Sequence, residues 1–224
     1  MGLDMYLERM PRYGNLTAND IIAIDGYFSW IDAKAEGSQY ADCTLEQWCG
    51  ASIDNISKEA IKFYEQYRNI RYPHWDTEHK YGHNQIYESV GYWRKANAIH
   101  KWFVENVQDD NDDCGYYEVS KKQLEELLEV CNTVKSKTKM EHNYVKNGET
   151  FANNMWCPIV EEGDIIVNPE VASELLPTQS GFFFGSTDYD QYYMQDIEST
   201  IEILTKVLEE TDFNIEMIVY SSSW

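Results

Sequence analysis

Trp93, Asn97 and His100 fall at spacings of four and three within Tyr92-Trp93-Arg94-Lys95-Ala96-Asn97-Ala98-Ile99-His100-Lys101-Trp102-Phe103, the segment whose residue types lend themselves best to chemistry. At helical spacing these three side chains share a face beside an apolar stripe of Ala96, Ile99 and Phe103. An indole stacks on a base, an amide and an imidazole hydrogen-bond to it, and the Arg94 guanidinium reads a phosphate. With Cys114, Gln179 and Ser180 alongside, the set suits a pocket for a small nucleotide-like ligand, in a binder or an enzyme. The plainer reading, which we prefer, is a core-facing helix whose polar groups bond to neighbouring loops, because buried polar groups need partners. On that reading Asn97 and His100 face the Gln179–Ser180 turn.

Other constellations are weaker. From Asp109, the first, third and fifth positions fit a calcium loop, but Cys114 replaces the required Gly and Ser120 the bidentate Glu. His74, His79 and His83 lie close in sequence without a thiol or carboxylate at ligand spacing. Cys114 and His100, oriented by Asn97, have the residue types of a nucleophile and its base, yet a cysteine is more often an inert buried residue. Gly185-Ser186-Thr187 precedes a helix, but lacks the Lys of a phosphate loop and adjoins Asp188 and Asp190. We therefore expect no metal and no cofactor, assign no catalytic residue, and lean towards a non-enzyme.

Charge carries a different signal. The formal net charge is −21, which argues against direct binding to a nucleic-acid backbone, since phosphate contacts need Lys and Arg. The imbalance is uneven: from Asn147 to Trp224 the sole basic residue is Lys206, whereas Lys121, Lys122, Lys135, Lys137, Lys139 and Lys146 crowd the middle. Glu198, Glu202 and Glu209 fall on one side of a helix after Thr187, opposite Ile197, Ile201, Leu204 and Leu208. Together with Asp188 and Asp190 they offer an acidic surface to a basic groove on a partner protein, or simply a solvated face. The 5 cysteines are scattered without a C-x-x-C pair, and no apolar run is long enough to cross a bilayer, so a cytoplasmic protein is expected. Oligomeric state is not legible.

The elements that must position these residues are better marked. Leu3, Met5 and Leu7 alternate with polar residues, as do Ile215, Met217 and Val219, predicting strands with one buried face. Phe182-Phe183-Phe184 between Gly181 and Gly185 predicts a third, central strand. Thr17 with Asp20, Thr44 with Gln47, and Ser120 with Gln123 have capping-box spacing, and a further helix is expected over about 58–70. Residues 71–82 read as a loop, and about 135–154 as irregular, leading to a strand at Ile165–Val167. A hydrophobic content of 43% and aromatics at 14% exclude a disordered chain. The expected fold is α+β: a small, mainly antiparallel sheet including the N- and C-terminal strands, covered by amphipathic helices, in one domain over residues 1–224 with about 10–85 a helical and loop-rich elaboration.

The start Met1-Gly2-Leu3-Asp4-Met5-Tyr6-Leu7, the run from Tyr92 through Val104-Glu105-Asn106-Val107-Gln108-Asp109, the Asp113-Cys114-Gly115 turn, Leu176–Asp190 and the terminal Ser222-Ser223-Trp224 resemble an uncharacterised family associated with bacteriophages, prophages and gut or lactic-type bacteria. The matching pieces cover about a third of the chain and span its length. The resemblance implies no reaction and no ligand set. What it implies is context: a mobile-element protein that binds and modulates a host protein, one that handles nucleic acid or serves defence.

Overall fold

The alternation Leu3, Met5, Leu7 becomes strand β1 (Asp4–Pro11), with all three side chains fully buried. The computed structural model describes residues 2–35, 37, 42–50, 53–54, 56–67, 87–152, 154–181 and 183–224. Thr17 and Asp20 exchange hydrogen bonds of 2.8 and 3.2 Å ahead of helix α1 (Ala18–Ala35). Thr44 and Gln47 do the same for α2 (Leu45–Cys49), and the Ser57 hydroxyl accepts from Ala60 N at the start of α3 (Lys58–Tyr67). The 71–82 stretch and His74, His79 and His83 lie outside the described residues.

Strand β2 (Glu88–Arg94) and helix α4 (Asn97–Val107) divide the segment expected to be one helix. Ladder pairing wins over helical periodicity there: Met5 pairs with Trp93, and Lys95 N donates to Leu3 O at 2.7 Å. Lys95 then takes a left-handed φ of 61° to turn the chain into α4. Strand β3 (Tyr117–Val119) leads into α5 (Lys121–Lys137), opened by the Ser120–Gln123 box. Strand β4 (Met140–Ala152) replaces most of the irregular stretch that the sequence suggested, and β5 (Met155–Ile166) contains the start of the strand expected at Ile165–Val167. Helices α6 (Glu170–Leu175) and α7 (Gln191–Glu210) and strand β6 (Glu216–Ser223) complete the chain. The cap of α7 is Asp190, whose Oδ1 accepts from Tyr192 N and Tyr193 N.

The fold is α+β. Its main sheet has the order β2-β1-β6-β3 with every pairing antiparallel, so the two terminal strands lie side by side at its centre. One face packs on α4, α5 and α7 through Met5, Leu7, Ile99, Phe103, Leu127, Ile197, Leu204 and Tyr220. The other packs on α1 and α3 through Met10, Ile21, Ile24, Phe28, Tyr64, Met217 and Val219. Strand β6 is therefore buried on both faces, not one, from Glu216 to Ser222.

Phe183 and Phe184 do not form the expected strand, and Phe182 lies outside the described residues. The Phe184 ring folds back over Gly181, where any Cβ would stand 2.5 Å from the ring, so only glycine admits this turn. The carbonyl of Phe184 accepts from the Asn97 side chain and that of Phe183 from Leu3 N, which satisfies backbone groups that a strand neighbour would otherwise have taken.

Burial on the α1 side pushes the Glu8 carboxyl up to about 7, helped by the charge of Asp25. A carboxyl raised in the native state binds protons there that the unfolded chain has lost, so its contribution to stability falls as pH rises from about 4.5 to 7. Glu8→Gln should flatten the decline of melting temperature between pH 5 and 7.5 relative to wild type. Parallel melting curves across a pH series check this; identical slopes would contradict it.

Strands β4 and β5 form a separate two-stranded arm. Its lower half is tied down: Val145 and Ile166 are buried, Asp164 N donates to Gln191 Oε1 at 3.0 Å, Tyr192 donates to Glu161, and Ile165 bridges Asp190. Between Lys146 and Glu149 the register slips, and Gly148 adopts a φ of 106°, the conformation that a bulge of this kind reserves for glycine. Beyond that bulge the arm is exposed on both faces.

Candidate functional site

The residues singled out from sequence separate into three places. Trp93 is 3% exposed: its Nε1 donates to Thr200 Oγ1 at 2.9 Å, and its ring meets Phe103. His100 is fully buried, with Nε2 3.0 Å from Asp112 Oδ2 and Nδ1 2.7 Å from the Tyr220 hydroxyl. A carboxylate only accepts, so Nε2 carries a proton and, in the neutral ring, the Tyr220 hydroxyl donates to Nδ1. Asp112 also accepts from Trp224 Nε1 at 3.1 Å. This Tyr–His–Asp chain has the order of a proton relay, but both Tyr220 and His100 are sealed from solvent, and its role is to fasten β6 and the C-terminus to α4. Cys114 is exposed, at a left-handed φ of 57°, and among the described residues no hydrogen bond joins it to His100. The Asp113 carboxylate accepts from Gly115 N, the Tyr117 hydroxyl and Asn111 Nδ2, so the acidic turn closes on itself.

Asn97, in contrast, does reach the loop expected of it. Its Oδ1 accepts from Gln179 N at 2.9 Å, and its Nδ2 donates to Phe184 O at 3.0 Å and Ser186 O at 2.8 Å. Among the described residues His100 meets that loop through the edge of the Phe184 ring, 5.3 Å between centroids. Asn97 therefore holds residues 179–186 against the first turn of α4.

That clamp shapes a cavity of about 680 Å³ at the base of the arm. Arg94, Lys95, Asn97 and Ala98 line it from the β2–α4 turn, Lys146–Glu149 from the bulge of the arm, and Asp188, Asp190, Tyr193 and Asp196 from α7 and the segment before it. Thus the cavity takes in Arg94 and Asn97 and leaves out Trp93, His100, Cys114, Gln179 and Ser180. Most polar groups in its wall are used: Lys146 pairs with Glu149 at 2.7 Å, Ser186 donates to Asp188, and the Thr178 hydroxyl donates to Thr187 O. Three charged groups, and one oxygen of a fourth, are not. Among the described residues Arg94 and Lys95 have no ion pair, the Asp196 carboxylate has no hydrogen bond, and Asp190 Oδ2 has no hydrogen-bond partner although Asp190 is 2% exposed. Burial, with the charge of Asp190 adding to it, pushes Asp196 up to about 7, and burial raises Asp190 as well. Such a pair can hold an ammonium group or exchange a proton near neutrality.

The acidic row on α7 is exposed, as its periodicity requires, but Glu198 is tied to Lys135 of α5 at 2.8 Å. Glu202 and Glu209 are the members without an ion pair among the described residues.

Sequence reasoning missed the upper half of the arm. From Thr150 to Val160 there is no charged residue in a chain that is 25% charged. Phe151 (59% exposed) and Trp156 (67%) stand opposite each other with rings 5.4 Å apart, and Met155, Ile159 and Val160 are exposed beside them. The findable signal was Asn153-Asn154, a turn dipeptide between β-forming Thr150-Phe151 and Trp156 to Val160. Among the described residues no helix is long and apolar enough to cross a membrane. No protein-family model, no curated protein and no solved structure matches the chain.

Proposed function

We propose that this chain is a non-enzymatic interaction protein that binds and modulates another protein, gripping it with the upper half of the β4–β5 arm. The single observation carrying the reading is the uncharged, apolar end of the arm, where Phe151, Met155, Trp156, Ile159 and Val160 are all exposed. A two-stranded hairpin gains little stability from presenting Phe151, Trp156 and Val160 to water on one face and Met155 and Ile159 on the other, and exposed apolar residues gathered at one end of an otherwise highly charged chain mark an interaction site. Tryptophan in particular contributes disproportionately to binding when it enters a pocket.

The charge around the arm selects the partner. Glu161, Glu162 and Asp164 flank its base, and Glu202 and Glu209 lie on α7. A second copy would set −21 against −21 and be repelled. The partner that fits is a host protein with an apolar cleft rimmed by basic residues, of which proteins that handle nucleic acid are the chemically natural class. The acidic flanks speed encounter, and the apolar end holds the complex.

The test is capture from host lysate by the full chain at low and high salt, beside Phe151→Ser/Trp156→Ser and Glu202→Lys/Glu209→Lys variants. The arm variant should lose the captured protein at every salt concentration while its melting temperature stays within about 2 °C of wild type, since surface substitutions away from packed features change stability little. The charge variant should keep the protein but associate more slowly and with a flatter salt dependence. Capture of the same protein by wild type and arm variant with equal dissociation rates would overturn the proposal.

A further inference from the structure

We propose that the cavity at the base of the arm binds a small zwitterion, a molecule carrying a primary ammonium and an anionic carboxylate or phosphate. This site is separate from the exposed end of the arm.

The inference begins from charges that do not neutralise one another. Arg94 and Lys95 come from the β2–α4 turn, Asp190 and Asp196 from the start of α7, and all four line one cavity without an ion pair among them. Asp190 is the telling member. One of its oxygens caps α7, while Oδ2 is buried without a hydrogen-bond partner. That oxygen leaves the charge of Asp190 incompletely compensated beside Asp196, whose carboxylate has no hydrogen bond among the described residues, and an ammonium group is the strongest donor for such a pair.

Other ligand classes fit less well. A metal ion needs several converging ligands, and among the described residues no group of three or more His, Cys, Asp or Glu side chains is arranged to hold one. A simple cation would be repelled by Arg94 and Lys95, and a polyphosphate by Asp188, Asp190 and Asp196. A ligand bearing both charges answers both pairs: its ammonium donates to the Asp196 carboxylate, beside the buried charge of Asp190, and its anionic group accepts from Arg94 and Lys95. The volume suits a small molecule and exceeds the needs of a lone ion.

The left-handed Lys95 supports the assignment. The turn that holds this residue at φ 61° also brings Arg94 and Lys95 together into the cavity wall, and it packs so closely on Gly185 that a Cβ there would stand 3.1 Å from the Lys95 Cβ and carbonyl oxygen. Strain of this kind in a residue other than glycine gathers where a side chain must be aimed.

Titration calorimetry on the full chain tests this with ω-amino acids from glycine to 8-aminooctanoate, together with O-phosphoethanolamine. Alkylamines and carboxylates of matching length serve as single-charge controls. At least one zwitterion should bind about 10-fold more tightly than either control of its length, the difference expected when a charge-assisted contact is lost. Arg94→Gln, at an exposed position, and Asp190→Asn, which keeps an oxygen for the helix cap, should each weaken that binding by about 10-fold. A carboxylate ligand and a phosphate ligand are separated by which probe binds better. The proposal is overturned if no zwitterion binds below about 10 mM, if single-charge controls bind as well, or if binding survives both substitutions unchanged. Since the arm-end variant leaves the cavity intact, loss of partner capture and loss of zwitterion binding are independent results.

Discussion

Arg9→Met lowers stability by about 3–5 kcal/mol, the largest single effect expected anywhere in the main sheet. Arg9 is 1% exposed in the middle of β1. Its guanidinium meets Glu88 of β2 at 2.5 Å and Glu216 of β6 at 3.9 Å, and donates to the Glu210 carbonyl at the end of α7 at 3.2 Å. One cation thus joins three strands and a helix end. Removing it takes the cation away from two largely buried carboxylates, and the cost of keeping their charge desolvated, rather than the worth of the pair itself, sets the magnitude. Arg12 and Glu118 supply the internal comparison, because that pair is exposed and Arg12→Met should cost less than about 0.5 kcal/mol. Chemical denaturation of the two variants decides it; similar midpoints would contradict the account of Arg9.

Asn97→Ala should cost about 3 kcal/mol, from three hydrogen bonds at roughly 1 kcal/mol each with buried partners left unsatisfied. The amide serves an N–H with its oxygen and two carbonyls with its nitrogen, so only an amide fits. Asn97→Asp is therefore no rescue: the carboxylate still accepts from Gln179 N but faces the carbonyls of Phe184 and Ser186. The same substitution should loosen residues 179–186, seen as faster amide exchange there than in α5. A destabilised variant whose exchange rises evenly everywhere would show that the clamp is not local.

The parts of the fold that were legible in the sequence are those set by local chemistry. Capping boxes at Thr17, Thr44 and Ser120 satisfy amides within a single turn, so four residues carry the whole signal. The terminal strands announced themselves through alternation, although the second buried face of β6 did not, since it depends on α1 and α3 arriving from elsewhere. Trp93 was misplaced because the spacing of Ala96, Ile99 and Phe103 extends plausibly backwards past Lys95, and nothing local reveals that Met5 will claim Trp93 as a ladder partner. Strand β4, and β5 apart from its end at Ile165–Ile166, went unseen for a related reason. Their upper halves cover no core, so neither face had to be apolar and no period was imposed. The cavity was half legible: Arg94 and Asn97 were picked for their chemistry, but Asp196 reads as one more helix carboxylate until burial and Asp190 distinguish it.

Site-specific photo-crosslinking tests the central claim most directly. A photoreactive residue is placed at Trp156 on the arm or, in a second protein, at Glu202 on α7, and each is irradiated in host lysate at physiological salt. The account predicts a discrete adduct from position 156, competed away by unlabelled wild type and not by the Phe151→Ser/Trp156→Ser variant, with weaker labelling of the same protein from position 202. A discrete adduct from position 202 with none from position 156 would contradict it, placing the contact on the acidic helix and leaving the arm outside the interface.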